Sequence, residues 1–423
     1  MNIAFRPGLT ERMAEESYRT HVYLPNTGKY QGKKNNSGKS TSFFGGNASS
    51  TSGAAAGAGR TLAFWCFSPG VAMSDLVRLG VRSILLTSGT ISPMDAVESE
   101  LRLPFKVRLE NAHVVGQRQV WIGSIKHGPT KKRLNSAYDN RDRPEYKEEL
   151  GRSILNCTRL IPNGLLVFFP SYTVMDKCVS YWQNNSSLWQ SMGGRKELYV
   201  EGRGASAFNL LVKDYETSAK TERGAVLFGV CRGKASEGID FPDHCARGVM
   251  ITGLPFAPNK DHRVMLKRTY LDECRKAGKS VLAGKDWYVQ GALRAINQAV
   301  GRVIRHRNDY GAIFLCDERF GGSHGVKGLS KWLKPMCHHF DNFGEATGSV
   351  ARFFKVARST PEWNRSKGSE RVLQDMASTR DHVQTSSVSD IPSSSKQGGI
   401  EYEPHPNIVA DVHTHAQNLM SAY

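Results

Sequence analysis

The chain alternates short, densely apolar runs with longer stretches whose apolar residues recur every three or four positions. "SILLTS" (83–88), "QVWIGSI" (119–125), "GLLVFF" (164–169), "AVLFGV" (225–230), "GVMITG" (248–253) and "GAIFLC" (311–316) are runs of strand length. Several are apolar on successive residues, as strands buried on both faces are, and predict a parallel sheet. Between them "SPMDAVESELRL", "PEYKEELGRSILNCTRL", "SYTVMDKCVSYWQ" and "DWYVQGALRAINQAVGRVIRH" carry helical periodicity. Strands alternating with helices predict an α/β sandwich. In such sheets ligands gather at the carboxyl ends of the strands.

This pattern occupies residues 60–357 of 423. Residues 1–59 open with a helical stretch, "GLTERMAEESY", and continue as a basic linker rich in Gly, Ser and Ala. Residues 358–423 are Ser-rich and poor in aliphatics, so they bury too little to offset ordering entropy and read as a disordered tail. The linker holds a lookalike: "QGKKNNSGKST" (31–41) ends in the Gly-Lys-Ser of a P-loop, but Gly32 and Gly38 are separated by five residues where the motif has four. It also lacks the strand in front and the helix behind that fix phosphate-binding N–H groups. It reads as linker.

Charge adds a partner. With 57 basic and 39 acidic residues the net charge is +18, which points to a polyanion such as nucleic acid. The eight cysteines show no C-x-x-C spacing, and most sit inside apolar runs and read as reduced core thiols. Cys337 with His338 and His339, and "DVHTH" (411–415), each lack a second ligand pair, so no metal site is expected. No apolar stretch approaches the roughly 20 residues of a bilayer span, and no membrane partner is expected.

Four segments that follow strands or end a helix carry candidate chemistry. "TSGTISP" (87–93) places the hydroxyls of Thr87, Ser88 and Thr90 around Gly89. "PSY" (170–172) opens a helix, where Ser171 and Tyr172 can hold a phosphate and stack on a base, or equally cap and pack. "CRGKASEGIDF" (231–241) offers Arg232 and Lys234 for phosphate, Gly238 for close backbone approach, and Glu237 and Asp240 as acceptors for ribose, magnesium-bound water or an arginine. On a helix spanning 286–306, Val289, Leu293, Ile296, Val300 and Val303 make a core stripe, while Gln298, Arg302 and Arg305 project together from another face. Gly301 inside that helix costs about 1 kcal/mol relative to Ala and implies a close approach. Two arginines on a rigid element suit the charge that develops on a transferring γ-phosphoryl group.

Taken in order, "TSGTISP", "FFPSY", "CRGKASEGIDF" and "QAVGRVIRHRNDYGAIFLCDERF" resemble motifs III to VI of superfamily 2 helicases. With "FWCFSPG" (64–70), "GVRSILLTSGT" (80–90) and "FDNFG" (340–344), the wording resembles the XPD-like iron–sulfur DNA helicases, in particular the regulators of telomere elongation. The resemblance covers about residues 60–357, and implies the second of two RecA-like domains that close on ATP and Mg²⁺. It implies arginine fingers at Arg302 and Arg305 and a γ-phosphate sensor at Gln298. Gly238, Asp240 and Glu237 would contact the nucleotide, Thr87, Ser88, Gly89 and Thr90 would couple closure, and Ser171, Tyr172, Arg232 and Lys234 would face DNA. It further implies a nuclear enzyme moving 5′ to 3′ on single-stranded DNA or at a duplex junction, in repair or telomere maintenance. The P-loop, the DEAH box and the ligands of the 4Fe–4S cluster belong to the first domain and are not in this sequence, so the chain alone is not expected to hydrolyse ATP. Asp317 and Glu318 follow motif VI, and so are not the metal-binding acidic pair. The alternative is a RecA-like nucleic-acid-binding module without catalysis. In a full-length enzyme, Lys39→Ala should leave DNA-stimulated ATP turnover near wild type, whereas Arg302→Ala should abolish it; steady-state ATPase assays give both numbers.

Overall fold

A computed structural model of the chain describes residues 16–23, 60–89, 91, 94–110, 113, 115–204, 206–322, 328–360 and 363. All fall within one compact unit, residues 1–366. The "QGKKNNSGKST" lookalike lies outside the described residues, as do Thr90, the "DVHTH" stretch and nearly all of the Ser-rich tail.

β1 (Tyr18–Tyr23) and β2 (Thr61–Cys66) form an antiparallel ribbon, so part of the first zone is strand. α1 (Gly70–Arg78) and α2 (Met94–Leu101) follow it. The main sheet comprises β3 (Val120–Ile125), β4 (Gly164–Phe169), β5 (Glu197–Val200), β6 (Ala225–Val230), β7 (Gly248–Ile251), β8 (Gly311–Leu315) and β9 (Cys337–Phe340). Its strands lie in the order β5-β6-β4-β7-β8-β3-β9, and every pairing is parallel. Each residue of β3, β4, β6, β7 and β8 is buried, which is why those runs are apolar without alternation. β5 and β9 are the edges, half-buried and more polar ("ELYV", "CHHF"), and escape a search for apolar runs.

Helices cover both faces. α3 (Pro144–Leu160), α4 (Tyr172–Asn184), α5 (Leu188–Gly193) and α9 (Phe343–Ser359) bury Leu165, Val167 and Phe169. α6 (Ser206–Ala219) and α8 (Gly284–Val300) bury Leu166 and Phe168 from the other side. The period-two split along β4 is what a two-sided core requires. α7 (His262–Lys276) joins α8 in a smaller cluster with Phe67 after the ribbon.

Two expectations are corrected. "SILLTS" (83–88) forms no strand: it makes no ladder, and Leu85 is 86% exposed. An apolar run becomes a strand only beside a partner strand, and among the described residues none lies next to it. The motif VI helix stops at Val300, so Gly301 is its cap residue at φ −61° rather than an interior position, and Arg302 and Arg305 stand on the chain that leaves it. Arg302 N and Val303 N reach back to Ala299 O and Val300 O in a tightened last turn.

A buried ion pair fixes that departure. Arg247, just before β7, donates through Nη1 to Asp309 Oδ1 at 2.6 Å and to Tyr310 O at 2.9 Å, with its guanidinium 4.0 Å from the centre of the Tyr310 ring. Asp309 also accepts from Arg305 N and Tyr310 N, both at 2.9 Å. Burial pushes its carboxyl above the usual range against the pull of Arg247. Arg247→Met would leave a buried charge uncompensated and should lower unfolding free energy by about 3–5 kcal/mol; Arg247→Met with Asp309→Asn should recover part of the loss, both read by urea denaturation.

Candidate functional site

The candidate residues fall in two groups: Tyr172, Arg232 and Lys234 follow the carboxyl ends of β4 and β6, whereas Gln298, Arg302 and Arg305 stand beside the amino ends, where the chain leaves α8 and enters β8. The first is built on Glu201, the residue after β5. Its carboxylate, 2% exposed, accepts from Val230 N (3.0 Å), Lys234 N (2.8 Å) and the hydroxyl of Tyr172 (2.7 Å). Burial first, and then the hydrogen bond to Glu201, push the Tyr172 hydroxyl well above its usual range, so it stays a donor. Ser171 caps α4 by accepting from Val174 N, and Arg203 lies over the Tyr172 ring at 5.3 Å. Lys234 Nζ donates to Gly204 O at 2.6 Å and Arg203 O at 3.2 Å.

Glu201 thereby shapes the loop after β6. Arg232 and Gly238 both take the left-handed conformation, φ +64° and +86°. A side chain at Gly233 would fall 2.7 Å from Val230 O and 2.8 Å from Glu201 Oε1, so only glycine passes. Arg232 reaches across to α8, where a Cβ at Gly291 would sit 3.3 Å from its Nη2. Glu237 and Gly238 are exposed.

The second group surrounds a cleft of about 990 Å³ lined by Gln298, Arg302, Arg305, Ser88, Gly89 and Trp332 among others. Arg302 is held by the β6 loop: Nε and Nη2 donate to Ser236 O at 3.0 and 2.7 Å, and Nη1 to Ile239 O. Burial lowers its pKa, with Arg305 a second cause. Arg305 Nε lies 2.7 Å from Asp240 Oδ1 as an ion pair, while its Nη2 is buried without a hydrogen-bond partner. The loop and the segment after α8, 66 positions apart at Ser236 and Arg302, thus form one constellation. Thr87 is exposed and does not line the cleft.

Glu201 went unnoticed in the sequence because the edge strand before it lacks an apolar run; an acid at a strand's carboxyl end was its one signal. Asp317, the refused acidic lookalike, is fully buried in a lock of its own. It accepts from Ser136 N and Oγ and from Arg319 Nε and Nη2 at 2.7–2.9 Å. Among the described residues Asp243, His306 and Asp309 alone approach metal-ligand geometry. Arg247, Arg305 N and Tyr310 N already occupy the Asp309 oxygens, so the trio is a hydrogen-bonded network.

Residues 154–336, which hold Tyr172, Glu201, the β6 loop and both arginines, match the helicase C-terminal domain family. This stretch of the chain is therefore similar to a helicase C-terminal domain. Over 309 residues it is 48% identical to a regulator of telomere elongation helicase 1 homolog from Oryza sativa subsp. japonica, covering 70% of this chain and 30% of that protein. Over 352 residues it is 43% identical to regulator of telomere elongation helicase 1 of Homo sapiens, covering 82% of this chain and 28% of that protein. A solved XPD helicase superposes with a TM-score of 0.47 at 23% identity, over 67% of this chain and 47% of that one. The chain spans about 30% of the length of the relatives it matches. Ser88 and Gly89 precede the matched helicase C-terminal domain and reach its cleft from outside it.

Within this domain Tyr172→Phe removes one of three donors to a buried carboxylate and should cost about 1–2 kcal/mol. Glu201→Ala strands Val230 N and Lys234 N and should cost more, about 3 kcal/mol. Urea midpoints of the two variants rank them.

Proposed function

We propose that this chain is the C-terminal part of an ATP-dependent DNA helicase that moves 5′ to 3′ and serves DNA repair and telomere maintenance in the nucleus. In this reading a first RecA-like domain brings the P-loop, the DEAH box and Mg²⁺-bound ATP, and the cleft beside Arg302 and Arg305 forms the opposite wall. The observation that carries it is the unequal engagement of the two arginines. Arg302 has its donors taken up by Ser236 O and Ile239 O, whereas Arg305 keeps a buried Nη2 without a partner. A γ-phosphoryl oxygen would satisfy that donor and relieve the cost of leaving it unpaired.

Arg305 is then the finger that stabilises charge on the transferring phosphoryl group. Arg302 is the coupling arginine, since any shift of its backbone pulls on the loop that bears Glu237, Gly238 and Asp240. Gln298 faces the same cleft as the γ-phosphate sensor, and Thr87, Ser88, Gly89 and Thr90 relay closure. Ser171, Tyr172, Arg232 and Lys234 take the DNA strand beside them. All eight cysteines are free, and no group of three of them lies together among the described residues, so they do not suit a 4Fe–4S cluster. The family's cluster is assigned to the first domain.

A second reading, a nucleic-acid-binding module without catalysis, draws on the net charge of +18. DNA-stimulated ATP hydrolysis separates the two. The chain alone should show none above background. Fused to the first domain of a relative it should turn over, and Arg305→Ala in the fusion should lower kcat by about 10³ or more. Robust turnover by the chain alone would overturn the assignment of half a site, and an inactive fusion would favour the binding module.

A further inference from the structure

The segment after β3, "KHGPTKKRL" (126–134), folds as a hairpin. His127 and Arg133 form an antiparallel bridge. Gly128 N donates to Lys132 O at 2.9 Å, Lys131 N to Gly128 O at 3.0 Å, and Leu134 N to Lys126 O at 2.8 Å. Its tip is braced from below. Glu149 of α3, 1% exposed, accepts from Thr130 N at 2.7 Å and from the Thr130 hydroxyl. A Cβ at Gly128 would lie 2.5 Å from Glu149 Cγ, so glycine is what lets the carboxylate reach the tip.

This brace holds Lys131 at φ +65°, a left-handed conformation that is unfavourable for a residue with a side chain. Lys131 and Lys132 are both exposed, and neither makes an ion pair among the described residues. Their neighbours in the hairpin do: Lys126 pairs with Asp341 at 2.9 Å and Arg133 with Glu318 at 3.7 Å. A loop that only connected β3 to α3 would need neither the strained tip nor two adjacent unneutralised cations held by a buried acid.

We propose that this hairpin is a rigid basic finger that grips the phosphodiester backbone of a single DNA strand through Lys131 and Lys132. The proposal rests on the reading that the chain acts on DNA. Parallel strands put the hairpin on the same edge as Tyr172, Arg232 and Lys234. β3 stands three places from β4 in the sheet, about 14 Å at ~4.8 Å per strand. A strand laid along that edge meets both Tyr172 and the finger. Lysine ammoniums act as point charges, so the grip is indifferent to base sequence.

The test is fluorescence anisotropy of a labelled oligo-dT titrated with the full chain across a NaCl series. The variant is Lys131→Asn with Lys132→Gln, since asparagine tolerates the left-handed tip. It should bind about tenfold more weakly, and the slope of log K against log[NaCl] should flatten by about 1.4, two phosphates at ~0.7 each. Lys132→Arg, which keeps the charge, should match wild type. If wild type binds and the double variant keeps both its affinity and its slope, the hairpin's partner is not nucleic acid and the finger is overturned while DNA binding stands. If wild type binds no oligo-dT at low salt, the DNA reading falls and the finger with it.

Discussion

The buried pair of Arg247 and Asp309 sets the geometry on which the site depends. Asp309 stands where the chain turns from the end of α8 into β8, and four donors converge on that corner: two from Arg247 and the backbone N–H groups of Arg305 and Tyr310. A carboxylate buried this deeply is tolerable only while fully paired. The pair therefore dictates where motif VI departs from its helix. Arg302 and Arg305 are aimed by that corner rather than by helical spacing.

A second buried carboxylate does the same for the other half of the site. Glu201 gathers the ends of β5 and β6 and the start of α4 onto one anion, and the loop it organises in turn gives Arg302 its carbonyl partners. The two halves meet through the guanidinium of Arg302 and the ion pair of Arg305 with Asp240. Movement of either arginine has a mechanical path to the surface beside Tyr172 and Lys234. Glu149 under the basic hairpin repeats the device, so two loops at the carboxyl edge, and the corner before β8 at the opposite edge, are each held by a buried acid.

Much of this was legible in the sequence. The five central strands announced themselves because burial on both faces demands unbroken apolar runs, and Ser171 capped its helix as the "PSY" opening predicts. The co-location of "CRGKASEGIDF" with Arg302 and Arg305 was also expected. "SILLTS" misled because apolarity reports a demand for burial without naming the partner that meets it, and Leu85 stands exposed here. Gly301 misled for a related reason: periodicity continued past it through Val303, which is buried although the helix has already ended.

By itself the sequence determined the class of fold, the order of the elements and which residues carry charge and hydroxyls at the strand ends, because these follow from short-range pattern. The tertiary structure alone decided the strand order, the unequal hydrogen bonding of the two arginines and the burial of Glu201, Asp309 and Glu149 among their partners. Those depend on which polar groups become buried together, and the cost of leaving such a group unpaired is a property of the packed interior that no local stretch of sequence records.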